Sequence, residues 1–167
     1  TESEFTVANR DAGITLAGTL TVPANVAPKA AIVMATGSGK QNRDEEIYGH
    51  RPFKAIAEHL SANGYAVLRL DDRGAGDSQG DFSKSTTDDF VSDISSAVNH
   101  LDSCFPNLPV GVIGHSEGGI VAIKTANRNK KCRFIVTLAA PAWAGDSLIM
   151  SQCRAMAVAM TGKWDQE

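Results

Sequence analysis

Apolar positions along the chain fall into two kinds of run. Residues 14–22, ITLAGTLTV, place Ile14, Leu16, Leu20 and Val22 on one face at a period of two, and FTVA at 5–8 precedes them across an NRDAG turn. That spacing predicts an opening β-hairpin. Past the connector PANVAPK come short continuous apolar runs: AAIVMA at 30–35, YAVLRL at 65–70, VGVI at 110–113 and FIVTLAA at 134–140. Runs without alternation predict strands covered on both faces, because both sets of side chains then meet apolar neighbours.

Helical spacing fills the gaps. Phe53, Ile56, Ala57 and Leu60 recur ahead of Gly64, and Phe90, Val91, Ile94, Ala97, Val98 and Leu101 follow an acidic start at Asp88 and Asp89. Carboxylates in a first turn suit the positive end of a helix dipole. A third helix is predicted from Glu117 to about Arg128, with Ile120, Val121, Ile123 and Ala126 turned inward. Strand and helix alternate, so the expected fold class is α/β with a mainly parallel sheet and an N-terminal β-hairpin. Residues 1–146 read as one core, and the Met- and Ala-rich stretch within 147–167 as a separate helical segment.

Size and charge narrow the function. A chain of 167 residues has single-domain length, and such a domain buries roughly 70% of its unfolded surface. A formal charge of -3 gives no basic footprint for nucleic acid. No apolar run approaches the ~20 residues that span a bilayer. Cys104, Cys132 and Cys153 lie far apart without zinc spacing, so they are expected as buried or free thiols, with no metal site.

Two glycine motifs carry chemistry. The first, ATGSGKQNRDEE at 35–46, contains Gly-Ser-Gly-Lys directly after a predicted buried strand. A phosphate-binding Walker loop needs a glycine five residues before the Gly-Lys pair and a Ser or Thr after it. Met34 and Gln41 occupy those positions, and the nucleotide reading fails. The loop still sits at the C-terminal end of a strand, where open α/β sheets bind ligands. The second motif is G-x-S-x-G, spelled Gly114, His115, Ser116, Glu117 and Gly118, between the run VGVI and an apolar-periodic helix. A strand, a sharp turn and a helix are the setting of a nucleophile elbow, in which small residues let the chain turn and expose the serine hydroxyl.

With TGSGKQNRDEE, DDRGAGDSQGDFS at 71–83 and GHSEGG at 114–119 in this order, the chain resembles the bacterial serine carboxylesterases of the α/β-hydrolase superfamily, with serine aminopeptidase-like hydrolases as near relatives. The resemblance implies Ser116 as the catalytic nucleophile and the backbone N–H groups of Ser38 and Glu117 as an oxyanion hole. It implies a small-molecule ester substrate, attacked without metal or organic cofactor. Gly37 and Gly39 then let the loop present an N–H inward, cradling a carbonyl oxygen and not a phosphate. A peptidase of the same fold and a noncatalytic binding module remain the alternatives.

Other polar residues read more plainly. Asp71, Asp72 and Arg73 are expected to form a structural ion pair, and the charge run Arg43 to Glu46 a solvated loop. His50 is a candidate for lining the pocket, His115 is read as structural, and His59 and His100 as surface or packing residues. Every histidine precedes Ser116, whereas the triad partners in this superfamily follow the serine. The expectation is that this chain lacks the acid and the histidine and is inactive alone. It would be a piece of a longer protein, a pseudoenzyme, or a chain whose base comes from elsewhere. The strand at 134–140 would then present a bare edge open to self-association.

Overall fold

The computed structural model describes residues 1–163. Strands β1 (Glu2–Asn9) and β2 (Ile14–Thr21) form the expected antiparallel hairpin. They are followed by β3 (Ala30–Ala35), β4 (Tyr65–Leu70), β5 (Val110–His115) and β6 (Cys132–Leu138). One six-stranded sheet results, in the order β1-β2-β4-β3-β5-β6. β2 runs antiparallel to β4, and every pairing among β4, β3, β5 and β6 is parallel. Helices α1 (Pro52–Ala62), α2 (Thr87–Cys104), α3 (Glu117–Arg128) and α4 (Gly145–Thr161) complete the described chain.

The continuous apolar runs are continuous because the sheet has helices on both sides. Val33, Leu68 and Val112 join Val91, Ile94, Val98 and Leu101 of α2 and Val121 of α3 in one buried cluster. Their sequence neighbours Ile32, Met34, Val67 and Ile113 face the other way, against Phe53 and Ala57 of α1. Helix α2 starts at a capping box in which Thr86 and Asp89 each satisfy the other's backbone N–H. In α3 the inward face is displaced from the expected one. Ile123 is exposed, and Ala122 and Thr125 are buried in its place, because Gly118 and Gly119 bring that helix close to the sheet through its small residues.

Charged side chains are also part of the interior. Arg69 lies buried within β4 and is paired with Glu2 and Asp44. Arg73 binds both oxygens of the buried Asp93 carboxylate, at 2.5 and 3.1 Å, and reaches Asp89 at 3.0 Å. Asn9 adds a 2.7 Å bond to Asp93. The turn after β4, the end of β1 and the flank of α2 are thereby tied together. The ion pair expected within Asp71-Asp72-Arg73 is thus corrected: the turn separates these side chains, and each finds a partner on another element.

The far edge is different. β6 pairs on one side alone among the described strands, and its Val136 and Thr137 are exposed. Helix α4 buries none of its residues. Residues 164–167 of the segment expected at 147–167 lie outside the described residues.

Arg73→Ala leaves Asp93 buried without its cation and is expected to destabilise the fold by about 3 kcal/mol or more. Urea unfolding measures this against Arg128→Ala, which breaks an exposed pair with Asp88 and leaves the midpoint nearly unchanged.

Candidate active site

Strand β5 ends at His115, α3 begins at Glu117, and Ser116 makes the whole turn between them at φ 51° and ψ −117°. A non-glycine residue held there costs on the order of 1–3 kcal/mol, so its surroundings must enforce it. They do so by close backbone contact. A Cβ on Gly114 would overlap the carbonyl of Gly118, and a Cβ on Gly118 would overlap the carbonyl of Ala35 and lie 2.5 Å from that of Thr36. The Ser116 N–H donates to Leu138 O at 2.9 Å, and the Ser116 carbonyl accepts from Gly119 N–H at 3.0 Å. The Ser116 hydroxyl makes no capping bond to its own helix.

The loop after β3 lies against this turn. A Cβ on Gly37 would sit 3.4 Å from Ser116 Cβ and 3.1 Å from His115 Nδ1. The Gly37 N–H donates to Glu45 Oε1 at 2.6 Å, and His115 Nδ1 lies 2.9 Å from that same oxygen. An ionised carboxylate accepts only, so with Glu45 ionised His115 donates from Nδ1 to it. The Ser38 hydroxyl donates to Glu117 Oε2 at 2.9 Å, and Thr87 Oγ1 donates to Glu117 Oε1 at 2.8 Å. The Glu117 carboxylate therefore joins the loop, α3 and the start of α2. The N–H groups of Ser38 and Glu117 bond to no protein group among the described residues. That of Glu117 is one of the orphan donors with which a helix begins. Gly39, at φ 92°, takes a backbone conformation that a side chain would strain.

Carboxylates at the end of β4 hold the loop from behind. Asp71 accepts from Arg43 through the guanidinium at 2.7 Å and the backbone N–H at 2.7 Å. The bond to Asp71, and then Glu4, raise the Arg43 guanidinium above its ordinary value in spite of burial. Asp72 accepts from Thr36 Oγ1 at 2.6 Å and from Gln41 N–H at 2.8 Å. Burial pushes its carboxyl up to about 6, against the pull of those two bonds. A cleft behind the loop is lined by Asp71, Asp72, Asp93 and Glu117 above a floor that includes Leu70 and Phe90.

The solvated loop expected over Arg43–Glu46 is therefore corrected. Glu45 is 7% exposed, and Arg43 and Asp44 are half-buried against Asp71 and Arg69, while Glu46 alone stays at the surface. His50 stands in an exposed turn whose backbone pairs with Ile47, outside the cleft lining. His59 is exposed on α1, and His100 packs against the Phe5 ring at 5.0 Å. Sequence reasoning missed Glu45 and Asp72. The available signal was the position of the charges beside a glycine loop at a strand end, where buried N–H groups require acceptors. Among the described residues no cluster of three or more His, Cys, Asp or Glu side chains is arranged to hold a metal ion.

A mainly parallel sheet in this strand order, with a strained serine between β5 and α3, defines an α/β hydrolase. The chain belongs to the serine aminopeptidase S33 family, whose model matches residues 27–164. It is 32% identical over 127 residues to an esterase of Thermotoga maritima, EstD, across 76% of this chain and 31% of that protein. With human monoglyceride lipase it shares 34% over 103 residues, 59% of this chain and 30% of the relative. A solved esterase of Pyrococcus furiosus superposes with a TM-score of 0.72 at 25% identity, over 96% of this chain and 56% of that one. The chain spans about a third of the length of the curated relatives it matches.

Gly118→Ala forces α3 away from the Ala35 and Thr36 carbonyls and is expected to cost about 3 kcal/mol or more. Gly145→Ala, where an added Cβ meets nothing within 4 Å, is the control; thermal unfolding of both variants decides.

Proposed function

We propose that this chain carries the nucleophile and oxyanion hole of a serine hydrolase that cleaves carboxylic esters. The observation that carries this reading is Ser116 itself, a strained non-glycine turn, together with the N–H groups of Ser38 and Glu117, which have no protein partner among the described residues. In the reaction, Ser116 Oγ attacks the ester carbonyl carbon and a base removes its proton. The carbonyl oxygen becomes an oxyanion held by the N–H groups of Ser38 and Glu117, each worth roughly 10²- to 10³-fold in rate. Collapse expels the alcohol, protonated by the same base, and leaves an acyl group on Ser116, which water then removes by the same steps. The acid and histidine that complete the triad are taken to lie outside these 167 residues, so the chain alone turns over little. Segment 147–167 then begins a helical lid. EstD and monoglyceride lipase are named for ester and lipid cleavage, which supports an ester over a peptide. The name of the S33 family favours the second reading, a peptidase acting on short peptides with the same elbow chemistry.

In a longer chain supplying an acid and a histidine after Ser116, an alkyl fluorophosphonate is expected to label Ser116, identified by peptide mapping, and Ser116→Ala to abolish the adduct. A longer chain supplying an acid and a histidine after Ser116 is expected to cleave p-nitrophenyl acetate, while the 167-residue chain is nearly inactive. Robust turnover by the short chain would contradict this reading.

The edge of β6 supports a further expectation. Among the described residues β6 pairs on one side alone, no charged side chain lies from Phe134 to Ala140, and open apolar edges pair. The chain is expected to self-associate there or to cover the edge with its own C-terminal segment, and Thr137→Lys to lower the apparent mass of any dimer in analytical ultracentrifugation. A wild-type monomer at all concentrations with that edge left open to solvent overturns this.

A further inference from the structure

One carboxylate grips both ends of the loop that carries Ser38. Thr36, the residue before Gly37, donates its hydroxyl to Asp72 Oδ1 at 2.6 Å. Gln41, the residue after Lys40, donates its N–H to Asp72 Oδ2 at 2.8 Å, and Asp72 N–H returns a 3.1 Å bond to the Gln41 carbonyl. Between these clamps Ser38, Gly39 and Lys40 are exposed. Apart from the clamps, the loop is held by the Gly37 bond to Glu45 and by side-chain bonds to and from Ser38. Four residues whose ends are fixed by one group have few ways to fold, and the direction of the Ser38 N–H follows from where those ends are placed.

We propose that Asp72 is a positioning residue that sets the Gly37–Lys40 loop, and through it the direction of the Ser38 N–H, by binding Thr36 and Gln41 with its two carboxylate oxygens. The proposal rests on the reading of Ser38 as an oxyanion donor, but its physical content, a loop closed by one carboxylate, stands apart from catalysis. The charges around Asp72 are those of Asp93 on α2 and Glu45 in the following loop, both of which disfavour its ionised form, together with Asp71, which is neutralised by Arg43, and Glu117 across the cleft. A hydroxyl partner suits a group that titrates in a useful range. Thr36 donates when Asp72 is ionised and can rotate to accept when it is protonated, so the loop keeps both clamps while the strength of the Gln41 bond changes.

The test uses the ¹⁵N-labelled 167-residue chain. The Gln41 amide proton is expected to titrate with a midpoint near 6, far above the ordinary carboxylate value of 3.8, and the Ser38 amide to follow it. Asp72→Asn, whose amide oxygen can serve Gln41 while its nitrogen serves Thr36, is expected to keep the loop and lose the titration. Asp72→Ala is expected to speed exchange of the Gln41 amide by about tenfold or more, the loss of one bond to a charged acceptor. Should Asp72→Ala fail to fold, Thr36→Val carries the test, because losing the Thr36 bond moves the Gln41 midpoint upward. The folded carboxyl titrates above the unfolded one, so its contribution to stability is full below pH 3.8 and lost as pH rises through about 6. Asp72→Asn flattens that slope. A Gln41 amide that does not titrate, or exchange unchanged in Asp72→Ala, overturns the proposal. Fluorophosphonate labelling of Ser116 in a longer chain that supplies the acid and histidine separates the two readings: a loop that responds to Asp72 as expected, without labelling of that longer chain, counts against the nucleophile alone.

Discussion

The contact on which the C-terminal end of the sheet depends is between the first turn of α3 and the carbonyl groups of Ala35 and Thr36. It is a backbone-to-backbone contact, possible only because Gly118 has no Cβ. Two consequences follow from that single closeness. Helix α3 is pulled over the end of β3, which forces the chain to turn within one residue and puts Ser116 at φ 51°. The loop that continues from Ala35 is brought against the same turn, with Gly37 beside Ser116 Cβ. Strain at the serine and proximity of the loop are therefore one geometric fact seen from two sides. The strain is sustained because relaxing it would separate α3 from the apolar cluster that Val121 and Ala122 share with α2.

Behind that contact the packing is ionic. Asp71, Asp72, Glu45 and Asp93 would each be costly to bury alone, and the structure meets the cost in different ways. Asp71 and Asp93 face guanidinium groups, Arg43 and Arg73. Asp72 and Glu45 instead accept hydrogen bonds, from Thr36 and Gln41 and from Gly37 and His115. Ion pairs in such places contribute little net stability compared with apolar replacements, but breaking one is expensive. Their service here is directional. A leucine in place of Asp72 could fill the space, yet it could not distinguish the end of the loop at Thr36 from the end at Gln41.

The fold was legible because its signals are local. Every apolar run became a strand, the hairpin paired as expected, and the predicted bounds of α3 match the observed Glu117–Arg128. The strand-turn-helix context of Ser116 was equally local. What escaped the sequence depends on partners distant along the chain. Arg43 finds Asp71 and His115 finds Glu45 across separations of 28 and 70 residues, and a charge run gives no sign of such partners. Arg73 was matched to its neighbours in sequence, although a turn points its side chain towards α2. Ile123 failed for a related reason: helical spacing finds an apolar face, but glycines on another face decided which one approaches the sheet.

Glu117 shows how side chain and backbone requirements meet in one residue. Its N–H has no intrahelical acceptor because α3 begins at this residue. Its carboxylate stands at the N-terminus of that helix, where the dipole favours a negative charge, and it accepts from Ser38 and Thr87. The bond to Ser38 joins the two residues whose N–H groups stand free, so the gap between those donors is fixed by a side-chain contact as well as by the backbone. A short polar side chain in place of Glu117 would keep the free N–H and the elbow but lose both bonds. The backbone contact of Gly118 with Ala35 and Thr36 would remain, and the loop itself would be held by Asp72 and Glu45. Order at this site is thus distributed: glycines permit the approach, Asp72 and Glu45 bind the loop at Thr36, Gly37 and Gln41, and Glu117 binds it at Ser38.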